Sequence, residues 1–189
     1  MPTKSTTASP AKAVDALALL MADHKAVKAL FKEYEKLVKS DAIDEQKEAL
    51  VENVCVELAL HARVEEEIFY SAVRAATDDD DMLDEAEVEH ATLKDLIAQL
   101  QEMLPYEKLY DAKVKVLSEY VEHHVREEED EMFPKVRAFD LDLPALGRQM
   151  QARKETLKVE FGLADADAPP PARAKGANGS KRPTKSPIG

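Results

Sequence analysis

The sequence predicts an all-α protein: an antiparallel, up-down-up-down four-helix bundle, followed by a short C-terminal helix and a disordered tail. Three observations carry this. Ala, Leu, Glu and Lys dominate a chain of 189 residues with 5 glycines and no tryptophan, a composition of good helix formers. Apolar residues recur at helical spacing through four long segments. Short connections separate those segments, which places successive helices side by side and antiparallel.

Residues 1–10 are small and polar and are expected to be disordered; the bundle domain is assigned to 11–140. The first helix covers about 11–40, with Leu17, Leu20, Met21, Val27 and Phe31 as its stripe, and SDAID (40–44) is a turn. The second covers about 44–76, with Val54, Leu58, Ile68 and Ala72 in register. TDDDDM (77–82) is a loop whose aspartates suit the start of the next helix. The third, about 82–103, carries Leu83, Ala86, Leu93, Ile97, Leu100 and Leu104 and is stopped by Pro105. The fourth, about 107–138, carries Val114, Leu117, Val121, Met132 and Val136. The segment 141–163 adds a shorter helix striped by Leu146, Met150, Leu157 and Phe161, with Gly162 just past its end. Residues 164–189 turn to Ala, Pro, Lys, Gly and Ser, which cannot bury a core and read as a disordered basic tail.

Net charge is −12, and the residues from Ala168 onward contribute five positive charges and no negative ones. The body is therefore strongly acidic, which argues against a nucleic-acid or anionic-membrane surface. No apolar run approaches the roughly 18 residues of a membrane span. The N-terminus lacks the apolar core of a secretory signal, and Cys55 is the only cysteine, so a reducing, cytoplasmic location is expected.

The second and fourth helices repeat each other at an offset of 63 residues: HARVEEEIFYSAVRA (61–75) matches HVREEEDEMFPKVRA (124–138). Two related hairpins about a pseudo-twofold axis follow from this. Four of the five histidines lie on predicted apolar stripes, one per helix: His24, His61, His90 and His124. Glu65 and Glu128 each follow a histidine by four residues and share its face. Carboxylates turned inward together are costly unless something positive offsets them. His24 lies 18 residues before Ala42, in the middle of the first turn, and His61 lies 19 after it. At about 1.5 Å of rise per residue, these and the corresponding spacings in the other hairpin bring all four histidines to one level of the bundle.

Imidazoles and carboxylates converging in a bundle interior are metal-site chemistry. Four His and two Glu suffice for two ions, each taking two His with both Glu bridging. Nitrogen and oxygen donors without thiolate favour iron, with manganese second, over a closed zinc site. His123 is about 100° around the helix from His124, a flanking residue. Glu66, Glu67, Glu127, Glu129 and Glu131 read as a solvated face, Glu57 as an optional extra carboxylate, Glu87 as a weak E-x-x-H match, and Tyr120 as packing.

The motifs DH (23–24), HARVEEEIFY (61–70), EH (89–90) and HVREEEDEMFP (124–134) resemble those of hemerythrin-like, HHE cation-binding proteins over about 14–138. The resemblance implies a hemerythrin-like four-helix bundle holding a carboxylate-bridged, non-haem di-iron centre. It implies His24, His61, Glu65, His90, His124 and Glu128 as ligands, and O₂, H₂O₂ or NO as the small-molecule partner of a monomer or weak dimer. Oxygen-carrying hemerythrins have a second histidine four residues away on the third helix; here those positions are Ala86 and Lys94. A symmetric site with an additional open position follows, which shifts the expectation from reversible O₂ storage toward peroxide or redox chemistry. Whether the protein is a peroxide-decomposing enzyme or a non-catalytic oxygen, iron or redox sensor or storage module stays open at this level.

Overall fold

A computed structural model of the chain describes residues 15–77 and 80–163. The expected disordered segments, 1–10 and 164–189, lie outside them. The described residues form helices joined by turns, with no strand. Helix α1 (Ala16–Lys39) is capped by Asp15, whose carboxylate accepts the Ala18 N–H at 2.8 Å. The turn that follows puts Asp41 at φ 54°, a left-handed conformation that Asp tolerates. Helix α2 (Asp44–Val64) runs through a π turn (Glu65–Phe69) into α3 (Tyr70–Ala76). Helix α4 (Asp81–Gln101) forms the third leg. Helix α5 (Tyr110–Glu127), a second π turn (Glu128–Met132) and α6 (Phe133–Val136) form the fourth. Helix α7 (Leu143–Glu160) is capped by Asp142 and ends on Gly162 at φ 74°. There the Leu163 N–H reaches Lys158 O at 2.7 Å and the Gly162 N–H reaches Val159 O at 3.1 Å, a Schellman close.

Helix α1 touches α2 and α5, and α4 touches α5 and α2, the square of an up-down-up-down bundle. Helix α7 lies across α1 and α2. The interior divides into two apolar clusters. One, at the α7 end, is built around Leu17, Leu20, Phe69, Leu83 and Phe133. The other, at the far end, is built around Val27, Phe31, Val54, Leu93 and Leu117. Between them lies a buried polar slab holding His24, His61, Glu65, His90, His124 and Glu128.

The differences from the sequence reading are local. The fourth leg starts at Tyr110, because residues 102–109 form successive turns. Met21 and Leu104, placed on stripes by spacing, are 44% exposed, and Phe161 sits beyond α7 at 43%. Tyr120, expected to pack, points outward at 46% exposure. The π turns were not anticipated. In each, a backbone N–H skips one residue further back than in an α-helix: Tyr70 N–H to Glu65 O, and Phe133 N–H to Glu128 O. Among the described residues, no helix is long and apolar enough to cross a membrane.

Candidate metal centre

Each π turn begins at the inward glutamate. The extra residue lets two consecutive aromatic or apolar side chains reach the core, Phe69 with Tyr70 and Met132 with Phe133, all at 2% exposure or less. In a continuous α-helix, advancing about 100° per residue, Tyr70 and Phe133 would instead stand about 140° around from the glutamate five residues before them.

The six predicted residues meet. His24 Nε2 lies 3.1 Å from Glu128 Oε2, and His61 Nε2 lies 3.1 Å from Glu65 Oε2. On the opposite side His90 Nε2 lies 3.4 Å from Glu65 Oε2, and His124 Nε2 lies 3.7 Å from Glu128 Oε2. The histidines therefore pair, with ring centroids 4.8 Å apart for His24–His61 and 4.7 Å for His90–His124, and the two carboxylates lie between the pairs. Two donor groups result, His24–His61–Glu65–Glu128 and Glu65–His90–His124, which share Glu65. All six residues are at most 5% exposed.

Each of these four histidines turns Nε2 inward and Nδ1 toward an outer carboxylate. His24 Nδ1 is 2.8 Å from Glu129, His90 Nδ1 is 2.8 Å from Glu66, and His124 Nδ1 is 2.7 Å from Glu89. His61 Nδ1 is 3.6 Å from Asp23, beyond a direct hydrogen bond, because Lys154 grips the other Asp23 oxygen at 2.6 Å. A carboxylate at Nδ1 keeps the proton there and leaves the Nε2 lone pair free, the arrangement that metal-binding histidines need. The sequence reading gave Glu66 and Glu129 to a solvated face; they are instead partly buried partners of His90 and of its counterpart His24, respectively. A signal for these partners was present: Asp23 precedes His24 as Glu89 precedes His90, and Glu66 follows Glu65 as Glu129 follows Glu128.

The remaining sequence candidates lie outside the slab. Glu87 binds Arg74 at 2.9 Å on the surface. Glu57 faces Lys154 at 3.9 Å. Glu67 is held by Arg153 of α7 at 2.6 Å. His123 is 46% exposed. Cys55 is buried in the far cluster, where burial first and Glu52 second push its thiol up to about 11.

The repeat is broken at one informative place. Tyr70 and Phe133 are equivalent by the offset of 63. Phe133 stacks on His24 with centroids 6.0 Å apart, and Tyr70 lies 5.5 Å from His90. Only Tyr70 carries a hydroxyl, which donates to Glu128 Oε1 at 2.9 Å. Glu65 has no such donor, and both of its oxygens lack hydrogen-bond partners. Burial, then the charge of Glu128, hold the Glu65 carboxyl well above the usual range. Burial also pushes Glu128 up, but the contact with His24 and the charges of His124 and His24 outweigh it and hold it low. Burial lowers His61 to about 4 despite Asp23, so its imidazole is neutral at neutral pH. Burial and the two glutamates keep the Tyr70 phenol protonated.

Among the described residues, the buried side-chain atoms without hydrogen-bond partners besides Glu65 Oε1 and Oε2 are His24 Nε2, His61 Nδ1 and Nε2, and Glu128 Oε2. Buried polar atoms are normally satisfied. Here most of the orphans face one another across the space where a cation would sit, and two carboxylates share that space with nothing positive fixed between them.

The family model of the hemerythrin HHE cation-binding domain matches residues 15–136. The chain belongs to the hemerythrin HHE cation-binding domain family. It is 29% identical over 117 residues to uncharacterized proteins of Mycobacterium tuberculosis and Mycobacterium bovis, covering 60% of this chain and 71% of theirs. The crystal structure of a hemerythrin HHE cation-binding domain-containing protein from Mycobacterium kansasii is similar to it with a TM-score of 0.64. That likeness holds at 29% identity, over 78% of this chain and 89% of that one. The matched segment contains all six inward residues of this HHE domain and ends where α6 ends, so α7 lies beyond it.

Proposed function

We propose that the protein holds two iron ions in a carboxylate-bridged, non-haem centre and there binds or reacts with dioxygen or hydrogen peroxide. Manganese is the second choice of metal. The observation that carries this reading is the set of buried, unpartnered donor atoms grouped around Glu65 and Glu128. His24 and His61 would hold one ion, His90 and His124 the other, with both glutamates spanning the pair. Iron held by nitrogen and carboxylate donors supplies open coordination positions and one-electron redox steps to a small oxidant.

The chain's own groups fit that task. The outer carboxylates fix each imidazole by its Nδ1. Tyr70 keeps its proton and presents the hydroxyl 3.4 Å from His90 Nε2. An apolar cavity of about 220 Å³, lined by Val27, Leu58, Leu93, Ile97 and Val121, reaches the histidines. Its size and lining suit a small neutral molecule such as O₂, H₂O₂ or NO. Ala86 is buried without a donor atom, and Lys94 turns outward to Glu66 at 2.6 Å, so this third leg adds no second histidine.

The test is metal analysis of freshly purified protein, with its optical spectrum before and after peroxide. Two irons per chain, with absorption that changes on adding peroxide, support the reading; oxygen evolution assigns peroxide turnover. A protein without bound metal, in which His61→Ala leaves stability unchanged, refutes it. One observation favours a second reading, a non-catalytic oxygen, iron or redox sensor: Lys154 of α7 reaches Asp23 behind His61 and ties the fifth helix to the centre. That reading expects occupancy to change the protection of α7 from hydrogen exchange, with no peroxide turnover.

A further inference from the structure

The two halves of the bundle repeat each other, but the fold finishes their flanks differently. On the first half, Leu19, Leu60 and Val64 are buried in one cluster with Leu146, Met150 and Leu157 of α7. Lys154 then closes that flank over Asp23. The residues related by the repeat, 66 positions on from Leu19 and 63 on from Leu60 and Val64, are Glu85, His123 and Glu127. An apolar patch sealed by a helix on one side corresponds to carboxylates and an imidazole facing solvent on the other.

A cavity of about 280 Å³ opens on this second flank, between α4 and the leg formed by α5 and α6. Glu85, Glu89, Glu127 and Glu131 line it, and His124 and Glu128 form its floor; Lys135 and Asp81 also border it. Two observations separate it from an ordinary solvated acidic face. First, His123 Nε2 lies 3.0 Å from Glu127 Oε1 and 3.4 Å from Glu89 Oε1, a three-residue donor group within 4.8 Å. Second, the cavity reaches Glu128, which is 1% exposed and whose Oε2 has no hydrogen-bond partner. The solvent-facing cavity thus borders, through Glu128, a donor residue of the inner centre, whose Oε2 lies 3.1 Å from His24 Nε2. Glu89 belongs to both places, since its Oε2 holds His124 Nδ1 at 2.7 Å.

We propose that Glu89, His123 and Glu127 form a third, peripheral site for a divalent transition-metal cation, and that this site loads the buried centre through the acidic cavity. The inference rests on the reading that the six inward residues hold cations. One imidazole and two carboxylates suit such an ion, and a cleft lined by one sign of charge concentrates the opposite ion and speeds its capture. Binding at His123 Nε2 moves the ring proton to Nδ1, so Arg126, exposed and 3.1 Å from Nδ1, swings away. The division of routes is chemical: the apolar cavity serves neutral molecules, and the acidic one serves cations.

The test mixes apo full-length protein with Co²⁺ alone in a stopped-flow cell, follows the metal's visible absorption, and counts bound Co²⁺ by equilibrium dialysis. The variants are His123→Gln and Glu127→Gln. Glu119→Gln, on α5 with a side chain 61% exposed and outside the cavity, controls for lost charge. The wild type is expected to take up two Co²⁺ tightly and a third weakly. Both variants should lose the third, keep the two, and load at least about tenfold more slowly, the lower end of electrostatic steering effects. The control should load within about twofold of the wild type, far inside that steering range. Persistence of the third ion, unchanged loading in the variants, or equal slowing in the control overturns the proposal. Two tight ions with unchanged loading overturn this inference alone; no tight Co²⁺ in the wild type overturns the inner site as well.

Discussion

Replacing Glu65 by Gln should stabilise the metal-free protein and weaken the metal-loaded one. Glu65 is fully buried beside Glu128, with no donor to either oxygen. Its carboxyl is held well above the ordinary 4.5 by burial and by the Glu128 charge. A group raised on folding contributes fully below its unfolded value and loses that contribution as pH rises toward the folded one. From 4.5 to pH 7 there are about 2.5 pH units, each worth about 1.4 kcal/mol, so the burden on the apo-protein has a ceiling of roughly 3–4 kcal/mol at pH 7. Gln keeps the size and removes the titration. At about 2–4 °C per kcal/mol, the apo Tm of Glu65→Gln should exceed that of the wild type by up to roughly 7–14 °C at pH 7 and converge with it below pH 4.5. With cation present the order should invert, since the shared donor is gone. Chelator-treated protein melted from pH 4 to 8, with and without Fe²⁺ under anaerobic conditions, gives both curves. A variant less stable than the wild type by the same amount at every pH, metal-free, would refute the idea that the two carboxylates await a cation.

Other perturbations reach the surrounding groups. Lys154→Met leaves Asp23, 15% exposed, without its cation, and should cost about 3 kcal/mol in denaturant unfolding, the lower end for breaking a buried pair; an unchanged midpoint would show that α7 is not anchored there. Tyr70→Phe removes the donor to Glu128 Oε1 and should cost about 2 kcal/mol in the apo-protein, as for a hydrogen bond to a charged acceptor. Glu66 is held at about 2 by its contacts with His90 and Lys94. Its contribution is therefore present above 4.5 and lost as pH falls toward 2, and Glu66→Gln should flatten that acid limb in a pH series of unfolding midpoints.

The inner site was legible because histidines and glutamates on an apolar stripe contradict the stripe, and the 63-residue repeat doubles the contradiction. Helix rise alone then brought them level. The outer carboxylates were not legible by the same logic. Glu66, Glu89 and Glu129 are partly exposed, and a glutamate at a bundle's edge has the same sequence appearance whether it meets water or an imidazole. Only the paired adjacency of each to an inner His or Glu distinguishes them. The π turns escaped because an i→i+5 step leaves no compositional trace. Nothing in the residue types marks the extra residue that brings Tyr70 and Phe133 round to the face of Glu65 and Glu128. The position of α7 across α1 and α2 was not predicted either, although Leu19, Leu60 and Val64, apolar where the second half has Glu85, His123 and Glu127, mark the flank it covers.

The measurement closest to the central claim is the Mössbauer spectrum of apo-protein reconstituted with ⁵⁷Fe²⁺ and then oxidised. Two irons per chain, magnetically coupled to a diamagnetic ground state in the ferric form and lost on Glu65→Gln, are the expected result. One isolated paramagnetic ferric ion per chain, or iron bound only at the surface, would contradict a two-metal centre bridged by Glu65 and Glu128.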